Sequence, residues 1–437
     1  MKSLSLKQNF SWTFLGNAVY AACQWGMLIA LAKLGSPEML GQFTLGLAIA
    51  APVVMFTNLQ LRIIQASDVK QQFAFVDYLG LRLLATLVGL VIILGISFSV
   101  GYRQETILVI LIVGLSKGFE AISDVFYGLI QQHEHMDRIA LSLMIKGPLS
   151  LTLLVVGICT TKSVIGGVFG LAIAWAVVLF AFDIPSGFLI LSKTNYFKSK
   201  QQIIEKKIRY IKPRWHLKTL TKLFWLCLPL GLVMMLISLN TNLPRYLIEH
   251  NFGERDLGIF AAISYLMVAG NIVIGALGES ATPRLAKYYA EANYLAFRSL
   301  LLKMLGIAVF IGGIAILISA VAGKAILTTL YSPVYGQYAN LLTWLTLAAT
   351  LSYMASFLGY GVTAARYLRI QLPLFTLITG VTALTCFWLL PTMGLMGAAI
   401  ALTISSFIHF VLFLGVAIYA LRKPGVKEIA SLVHGVR

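Results

Sequence analysis

The sequence predicts an all-α polytopic membrane protein of about 12 transmembrane helices, arranged as two pseudo-symmetric six-helix bundles. Three observations support this fold class: an apolar composition, a series of membrane-length apolar stretches, and motifs repeated between the two halves. Of the 437 residues, 59% are hydrophobic and 11% are charged, and the mean hydropathy is +0.86. This composition excludes a soluble chain of two or three domains.

The apolar stretches have the length that a membrane-spanning helix requires. A hydrocarbon core of about 30 Å is crossed by about 20 apolar residues at 1.5 Å each. The first apolar run follows Lys2 and Lys7 and is too long for a cleavable signal, so it is assigned as a span. The predicted spans are 10–34, 41–61, 79–101, 106–130, 139–159, 164–192, 223–247, 257–280, 299–322, 339–361, 367–390 and 395–421.

A strongly basic segment, residues 193–222, separates the two sets of six spans. It holds ten Lys or Arg residues against the single acid Glu205. The chain is therefore divided into an N-terminal bundle (1–192), a basic cytoplasmic linker (193–222), a C-terminal bundle (223–421) and a cytoplasmic tail (422–437). The net charge of +18 is attributed to loops that face the anionic inner leaflet, so no nucleic-acid partner is expected.

The distribution of Lys and Arg predicts the orientation of the chain. If the first end is cytoplasmic, the inner segments collect most of these residues. The outer loops then hold only Lys33, Arg103, Lys162, Arg255 and Lys324. By the positive-inside rule both termini are cytoplasmic, and the asymmetry also supports the helix count.

The two halves carry the same short motifs. Leu40-Gly41-x-Phe43 recurs as Leu257-Gly258-x-Phe260, at a shift of 217. Three more motifs, Phe126-x-Gly128, Arg138-Ile139-x-Leu141 and Gly166, recur at a constant shift of 231 as Phe357-x-Gly359, Arg369-Ile370-x-Leu372 and Gly397. A constant shift favours a repeat over chance matches among common residues. Six plus six helices in one orientation imply a pseudo-twofold axis along the membrane normal, with a site between the halves.

Charged residues inside the spans are the first functional candidates, because each costs about 2.5–3.5 kcal/mol at a helix centre. Lys117, Glu120 and Asp124 follow i, i+3, i+7 spacing and share one face of the fourth span. They are assigned to gating or ion coupling as a polar stripe in a translocation cavity. An internal ion-pair cluster explains them equally, and Arg82 and Lys146 on neighbouring spans are candidate partners that favour this second interpretation. Arg82 is also a substrate-binding candidate.

The end of the seventh span places polar groups beside a proline. Pro244 removes a backbone donor and is predicted to kink or break the helix, which would expose carbonyl groups. Asn240, Asn242 and Arg245 suit sugar hydroxyls and bidentate phosphate binding, and are predicted to bind substrate. The presence of Arg245 near the end of this span is also explained if its side chain only extends to the external surface.

The 217-residue shift pairs two further charges. Arg62 ends the second span, and its counterpart is Glu279 at the end of the eighth. We expect these residues to form an ion pair that closes a cytoplasmic gate and opens to admit an anion, so Arg62 is also a substrate-binding candidate.

No motif of enzymatic chemistry occurs in the chain. GxSxG, the P-loop, HExxH and nucleotide-binding fingerprints are all missing, so neither an enzyme nor a cofactor is expected. His133-Glu134-His135 lacks further ligands at suitable spacing and is predicted to be a solvated loop, not a metal site.

Three segments resemble a known family. NFSWTFLGNAVYAACQWGMLIALAKLGSPEMLGQFTLGLAI, EAISDVFYGLIQQHEHMDRIA and LNTNLPRYLIEHNFGERDLGIFAAISYLMVAGN resemble the bacterial polysaccharide flippases. These are the lipid-linked oligosaccharide exporters of the multidrug/oligosaccharidyl-lipid/polysaccharide (MOP) superfamily. The resemblance covers nearly the whole chain, and Asn271, which ends the third segment, joins the substrate-binding candidates.

The resemblance implies two bundles in a V-shaped exporter fold that alternates between inward-open and outward-open states. Such a protein moves undecaprenyl-diphosphate-linked repeat units to the outer leaflet of the bacterial plasma (inner) membrane, often coupled to H⁺ or Na⁺. Membrane lipids and polysaccharide polymerase and ligase machinery are the further partners implied. The lipid II flippases of the superfamily typically have two more helices than are predicted here.

Two alternatives to a flippase stay open. A multidrug exporter of the same superfamily would need an acidic, aromatic cavity, whereas Arg62, Arg82, Lys146 and Arg245 indicate a cationic one. An integral-membrane polysaccharide polymerase or ligase would need a large external loop. The longest external connection, 323–338, is short for that role.

Overall fold

The structure, a computed structural model, describes residues 6–68, 72–193, 213–367 and 370–422. These ranges are almost entirely helical and contain no strand, which confirms the all-α fold class. The elements are α1 (Leu6–Leu34), α2 (Pro37–Asn58), α3 (Leu61–Ser67), α4 (Phe75–Ser99), α5 (Gln104–Gln132), α6 (Met136–Thr161), α7 (Val164–Val178), a π-helix (Leu179–Asp183), α8 (Ile184–Lys193), α9 (Leu217–Tyr265), α10 (Val268–Ala290), α11 (Tyr294–Leu330), α12 (Pro333–Gly336), α13 (Ala339–Ala364), α14 (Gln371–Met393) and α15 (Leu395–Arg422).

Eleven helices within the described ranges are long and apolar enough to cross a membrane. The stretch predicted as the span 257–280 is not one continuous helix, because a turn at Leu266 and Met267 divides it between α9 and α10. Asn271 and Glu279 make α10 more polar than the other long helices, and α10 is not among the eleven.

Local capping explains where several helices begin. The Ser36 hydroxyl accepts a hydrogen bond from the Met39 N–H at 3.3 Å, and Pro37 occupies the first turn of α2, where no N–H is needed. The Asn293 side chain caps α11 in the same way, by accepting from the Ala296 N–H at 3.1 Å. Each cap satisfies a backbone donor that the helix itself leaves unpaired.

Helix α9 differs from the prediction at both ends. It begins at Leu217, so the last six residues assigned to the linker are helical, while 194–212 lie outside the described residues. The predicted break at Pro244 is wrong, because α9 continues through this proline. A helix in a membrane tolerates the loss of one donor. The non-helical residue is Gly253, whose φ of 82° and ψ of −177° are accessible essentially to glycine alone.

The chain forms two compact units, Met1–Ala261 (unit 1) and Ala262–Arg437 (unit 2). In unit 1, α5 is central and contacts α2, α3, α4, α6, α7 and α8. In unit 2, α13 is central and contacts α10, α11 and α15. The two central helices are counterparts at the 231-residue shift, and the matching residues Phe126 and Phe357 are both buried. These units reflect packing, and the division into bundles at 193–222 stays a prediction.

Within unit 1, two glycines mark a close crossing of α2 and α9. A Cβ atom on Gly41 would overlap the carbonyl oxygen of Glu254, and a Cβ atom on Gly258 would overlap that of Pro37. Gly41 therefore contacts Glu254, four residues before Gly258, and Gly258 contacts Pro37, four residues before Gly41. The two copies of the 217-shifted motif meet each other through this local pseudo-twofold relation, as small residues allow at close helix crossings.

Substitution of Gly258 with alanine is expected to lower the free energy of unfolding by about 1–3 kcal/mol, because a backbone carbonyl cannot move aside as a side chain can. Thermal unfolding in detergent measures the effect. Gly95→Ala on α4 is the matched control, since nothing lies within 4 Å of a Cβ placed there. Equal stabilities of the two variants would contradict the close crossing.

Candidate functional site

The corner between α2 and α3 positions two of the predicted residues. Leu59 and Gln60 have φ values of 51° and 52°, a left-handed conformation that non-glycine residues seldom adopt. These two residues end α2 at Asn58, three residues before the predicted end of the span, and begin α3 at Leu61. Arg62 therefore lies in the first turn of a separate short helix that packs against α5.

One carboxylate on α5 joins two guanidinium groups. Arg82 is fully buried, and its Nη2 lies 2.9 Å from Asp124 Oδ2, while its Nη1 donates to the Asn58 amide oxygen. Asp124 Oδ1 lies 3.6 Å from Nη1 of Arg62, and Arg62 Nε donates to Gln131 Oε1 at 2.9 Å. The prediction that Arg82 is a partner of the α5 carboxylates is confirmed for Asp124.

The other two predicted residues of α5 pair with each other. Lys117 Nζ lies 2.7 Å from Glu120 Oε2, and the Tyr20 hydroxyl donates to Glu120 Oε1 at 3.1 Å. Lys117 Nζ also lies 4.8 Å from the ring centroid of Trp175, a cation–π distance. Together with the pairing of Asp124, these contacts support the ion-pair interpretation of the stripe in this conformation.

A second buried network lies between α5, α6 and the π-helix. Lys146 Nζ donates to the Tyr127 hydroxyl at 3.0 Å and lies 3.5 Å from Asp183 Oδ2. Ser142 connects Tyr127 and Asp183. Its hydroxyl lies 2.7 Å from the Tyr127 hydroxyl and donates to Asp183 Oδ1 at 2.5 Å. Lys146 thus pairs with Asp183, a residue not predicted, although a lone acid within the apolar span 164–192 was a detectable signal.

The two networks are joined through aromatic rings. The Arg62 guanidinium lies 5.6 Å from the Tyr127 ring centroid, and Lys146 Nζ lies 5.9 Å from that of Trp175. We call the joined charges the polar core of unit 1. Its members are Arg62, Arg82, Lys117, Lys146, Glu120, Asp124 and Asp183. Four cations face three carboxylates, so the polar core carries one net positive charge.

For five charged residues of the polar core, and for Tyr127, the repeat places apolar residues at the counterpart positions of unit 2. Adding 231 to Lys117, Glu120, Asp124, Tyr127, Lys146 and Asp183 gives Ala348, Leu351, Ala355, Leu358, Leu377 and Leu414. Ala348, Ala355 and Leu358 are buried in unit 2. The counterpart helices therefore pack without any of these charges.

Burial decides which members of the polar core a solute reaches in this conformation. The side chains of Arg82 and Lys146 are 0% and 1% exposed. Direct binding of substrate by Arg82 thus requires a different conformation. The side chains of Arg62 and Lys117 are 31% and 23% exposed, so these cations form the accessible part of the polar core.

The predicted binding residues of α9 form a local group around Pro244. Asn242 is buried and its amide donates to the Ser238 carbonyl at 2.8 Å. Arg245 Nη1 donates to Asn242 Oδ1 at 2.9 Å, so one amide positions the guanidinium from within the same helix. Asn240 is partly buried. Its binding role, and that of Arg245, stays a prediction.

The remaining two candidates lie on α10 in unit 2. Asn271 and Glu279 are both exposed. The ion pair between Arg62 and Glu279, the gate it would form and the binding role of Asn271 stay predictions.

Within the described ranges, no group of three or more His, Cys, Asp or Glu residues is placed to hold a metal ion. In the loop between α5 and α6, His135 Nδ1 lies 3.7 Å from Asp137 Oδ1. Burial lowers the pKa of His135, and nearby Asp137 only partly opposes this shift. His135 therefore adds little positive charge to this loop at neutral pH.

Two sequence comparisons match this chain to polysaccharide biosynthesis proteins. The sequence profile of the family described as Polysaccharide biosynthesis protein matches residues 6–289. The capsular polysaccharide biosynthesis protein CapF of Staphylococcus aureus is 28% identical over 404 residues, which is 92% of this chain and 97% of CapF.

Solved structures of transporters share the fold. An inward-facing multidrug resistance MATE family transporter of the MOP superfamily superposes with a TM-score of 0.67 at 16% identity, over 93% of this chain and 98% of the other. A MOP superfamily transporter from Pyrococcus furiosus, described as having a binding pocket of reverse polarity, superposes with a TM-score of 0.58 at 17% identity, over 94% of this chain and 95% of the other. At such identities the likeness concerns the fold.

Proposed function

The chain belongs to the Polysaccharide biosynthesis protein family, and from this premise we propose that it flips undecaprenyl-diphosphate-linked oligosaccharide repeat units across the bacterial plasma membrane. Transport runs from the cytoplasmic to the outer leaflet by alternating access. The chain has the fold of a membrane transporter, in agreement with the prediction that it is a transporter and not an enzyme.

The observation that carries the proposal is the confinement of the polar core to unit 1. Buried charges are expensive, and replacing a buried ion pair with apolar residues is often neutral or stabilising. The apolar counterparts in unit 2, such as Leu377 and Leu414, indicate that these helices pack without charges. Five charged residues have apolar counterparts in unit 2, namely Lys117, Glu120, Asp124, Lys146 and Asp183. Their retention in unit 1 is therefore best explained by function.

The charge of the polar core suits an anionic lipid-linked sugar. An unpaired charge costs tens of kcal/mol in hydrocarbon by Born estimates, and unmatched hydroxyl groups add several more each. A partly exposed guanidinium such as that of Arg62 replaces lost hydration with bidentate bonds to phosphate. A diphosphate entering near Arg62 would compete with Asp124 for this guanidinium, which links substrate binding to a change in the polar core.

The membrane potential supplies part of the driving force in this proposal. Export of negative charge from an interior that is negative gains about 2.3 kcal/mol per charge per 100 mV. Coupling to H⁺ or Na⁺ would act through the partly exposed carboxylates Glu120 and Asp124. Both termini lie in the cytoplasm, as the distribution of Lys and Arg predicts.

The product is proposed to be a cell-surface or secreted polysaccharide. The name of the relative CapF favours a capsule-type polymer. Polymerase and ligase machinery would then act on the exported repeat units.

Proteoliposomes that contain a labelled undecaprenyl-diphosphate oligosaccharide test this function. Arg62→Gln is expected to slow protein-dependent movement of the lipid at least tenfold, because the accessible cation is lost. A matched control is Lys287→Gln, which removes a cation with a 70% exposed side chain on α10 and should leave transport unchanged. An imposed interior-negative potential should raise the wild-type rate.

Two further variants in the same assay examine the predicted sites. Arg245→Ala should slow movement if the α9 group binds phosphate. The reversal Arg62→Glu should be rescued by Glu279→Arg if these residues form the gate. Export of a cationic dye without movement of any lipid-linked sugar would overturn the flippase proposal in favour of drug efflux.

A further inference from the structure

Two adjoining cavities in unit 1 lie apart from the polar core. The first, here called the apolar groove, has a volume of about 610 Å³ and is lined by side chains of α2, α4 and α9 such as Phe56, Ile96 and Leu239. The second, here called the polar mouth, has a volume of about 400 Å³ and is lined mainly by charged and polar residues. Val100, Tyr102, Glu249 and His250 border both cavities, so the two form one continuous amphipathic site.

The apolar groove has the depth of one membrane leaflet. Along α9 its lining runs from Met235 to His250, a helical rise of about 22 Å at 1.5 Å per residue. Half of a typical bilayer, with its headgroup region included, is about 20–22 Å. On the predicted orientation the polar mouth lies at the external surface, where a lipid headgroup of the outer leaflet would lie.

Most charged groups of the polar mouth already have partners. Arg255 Nε lies 3.6 Å from Glu38 Oε1, and Glu254 accepts a hydrogen bond from the Thr106 hydroxyl. Arg103 and Glu249 line the same cavity, and among the described residues their side chains have neither a hydrogen bond nor an ion pair. The polar mouth therefore presents one available cation and one available anion.

The charge of the polar mouth discriminates between lipid classes. Three carboxylates, Glu38, Glu249 and Glu254, face two guanidinium groups, Arg103 and Arg255, which leaves a net charge of −1 with neutral histidine. A diphosphate, or a phosphate without a balancing cation, is repelled by this excess. A headgroup that carries both phosphate and ammonium matches the available pair. Burial, with a smaller contribution from Glu249, raises the pKa of Tyr102 to about 12, so its hydroxyl remains a donor.

We propose that the apolar groove and the polar mouth bind one zwitterionic aminophospholipid, with an acyl chain along α2, α4 and α9, the phosphate at Arg103 and the ammonium at Glu249. The site is distinct from the proposed transport path. Its occupancy is measured without transport, so the two proposals stand or fall separately.

Native mass spectrometry of the delipidated full-length protein tests the site. Titration with phosphatidylethanolamine should give one tightly held lipid, bound at least tenfold more tightly than phosphatidylglycerol. Glu249→Gln and Arg103→Gln should each weaken this binding about fivefold to tenfold. Ile96→Trp, which fills the groove, should weaken it at least tenfold, whereas Leu384→Trp, at a 72% exposed position of α14, should not.

Three results would overturn the proposal. Equal affinity for phosphatidylglycerol would remove the headgroup assignment. Displacement of phosphatidylethanolamine by undecaprenyl diphosphate would assign the site to the transported lipid instead. Retained binding in Ile96→Trp would show that the lipid lies elsewhere. Leu239→Trp provides a second groove-filling variant, and an unchanged thermal unfolding transition confirms that each tryptophan variant is folded.

Discussion

Replacement of Arg82 with alanine is expected to lower the free energy of unfolding by about 3–5 kcal/mol, the usual effect of removing one partner from a buried ion pair. Arg82 is fully buried and contacts both Asp124 and Asn58. Its loss leaves the Asp124 carboxylate facing a cavity and the Asn58 amide without its donor. Denaturant unfolding in mixed micelles measures the change.

Two comparisons separate this effect from a general loss of positive charge. Arg62→Ala removes a partly exposed partner of the same carboxylate and is expected to cost about 1 kcal/mol or less, as partly solvated pairs do. Asp124→Asn should recover part of the stability of Arg82→Ala, because it removes the carboxylate that has lost its buried partner. A loss from Arg82→Ala no larger than that from Arg62→Ala would contradict the importance of the buried pair.

Replacement of Asp183 with leucine is expected to lower the free energy of unfolding by about 3–5 kcal/mol, because it leaves the Lys146 ammonium group buried without its counter-ion. The double replacement Lys146→Leu with Asp183→Leu should recover most of this loss. It reproduces the residues of unit 2, Leu377 and Leu414, at their counterpart positions. The same unfolding measurement applies to the single and double variants.

The double variant also separates stability from transport. If the polar core serves function, the leucine pair should fold and yet move little or no lipid-linked oligosaccharide in proteoliposomes. Val156→Leu, at a 49% exposed position of α6, is a control that should preserve both properties. Wild-type transport by the double variant would exclude the Lys146–Asp183 pair from the mechanism, whatever its effect on stability.

Sequence patterns predicted the features that depend on local composition. Apolar length predicted the spans, and the spacing of Lys117, Glu120 and Asp124 correctly placed three charged residues on the side of α5 that the rest of the polar core joins. Arg82 was identified as a partner of Asp124 because a charge within an apolar span needs an opposite charge nearby. The two copies of the 217-shifted motif contact each other at Gly41 and Gly258, while the pseudo-twofold relation of the two halves stays a prediction.

The features that were missed depend on backbone geometry. Nothing in the residue types of Leu59 and Gln60 indicates a left-handed corner, yet this corner sets the position of Arg62. The π-helix that ends at Asp183 likewise carries no local signature. Tertiary context decides where α9 departs from helical geometry. Pro244 was the stronger sequence signal for a break, but Gly253 holds the non-helical conformation.

The crossing at Gly41 and Gly258 has a consequence for the history of the chain. A contact in which each copy presents the same group to the other is isologous, the type that twofold homodimers form. Two identical half-length polypeptides that carried this motif could assemble through the same surface without modification. The crossing therefore has the form of an isologous contact, in which either glycine alone limits how closely the two segments that carry the motif approach.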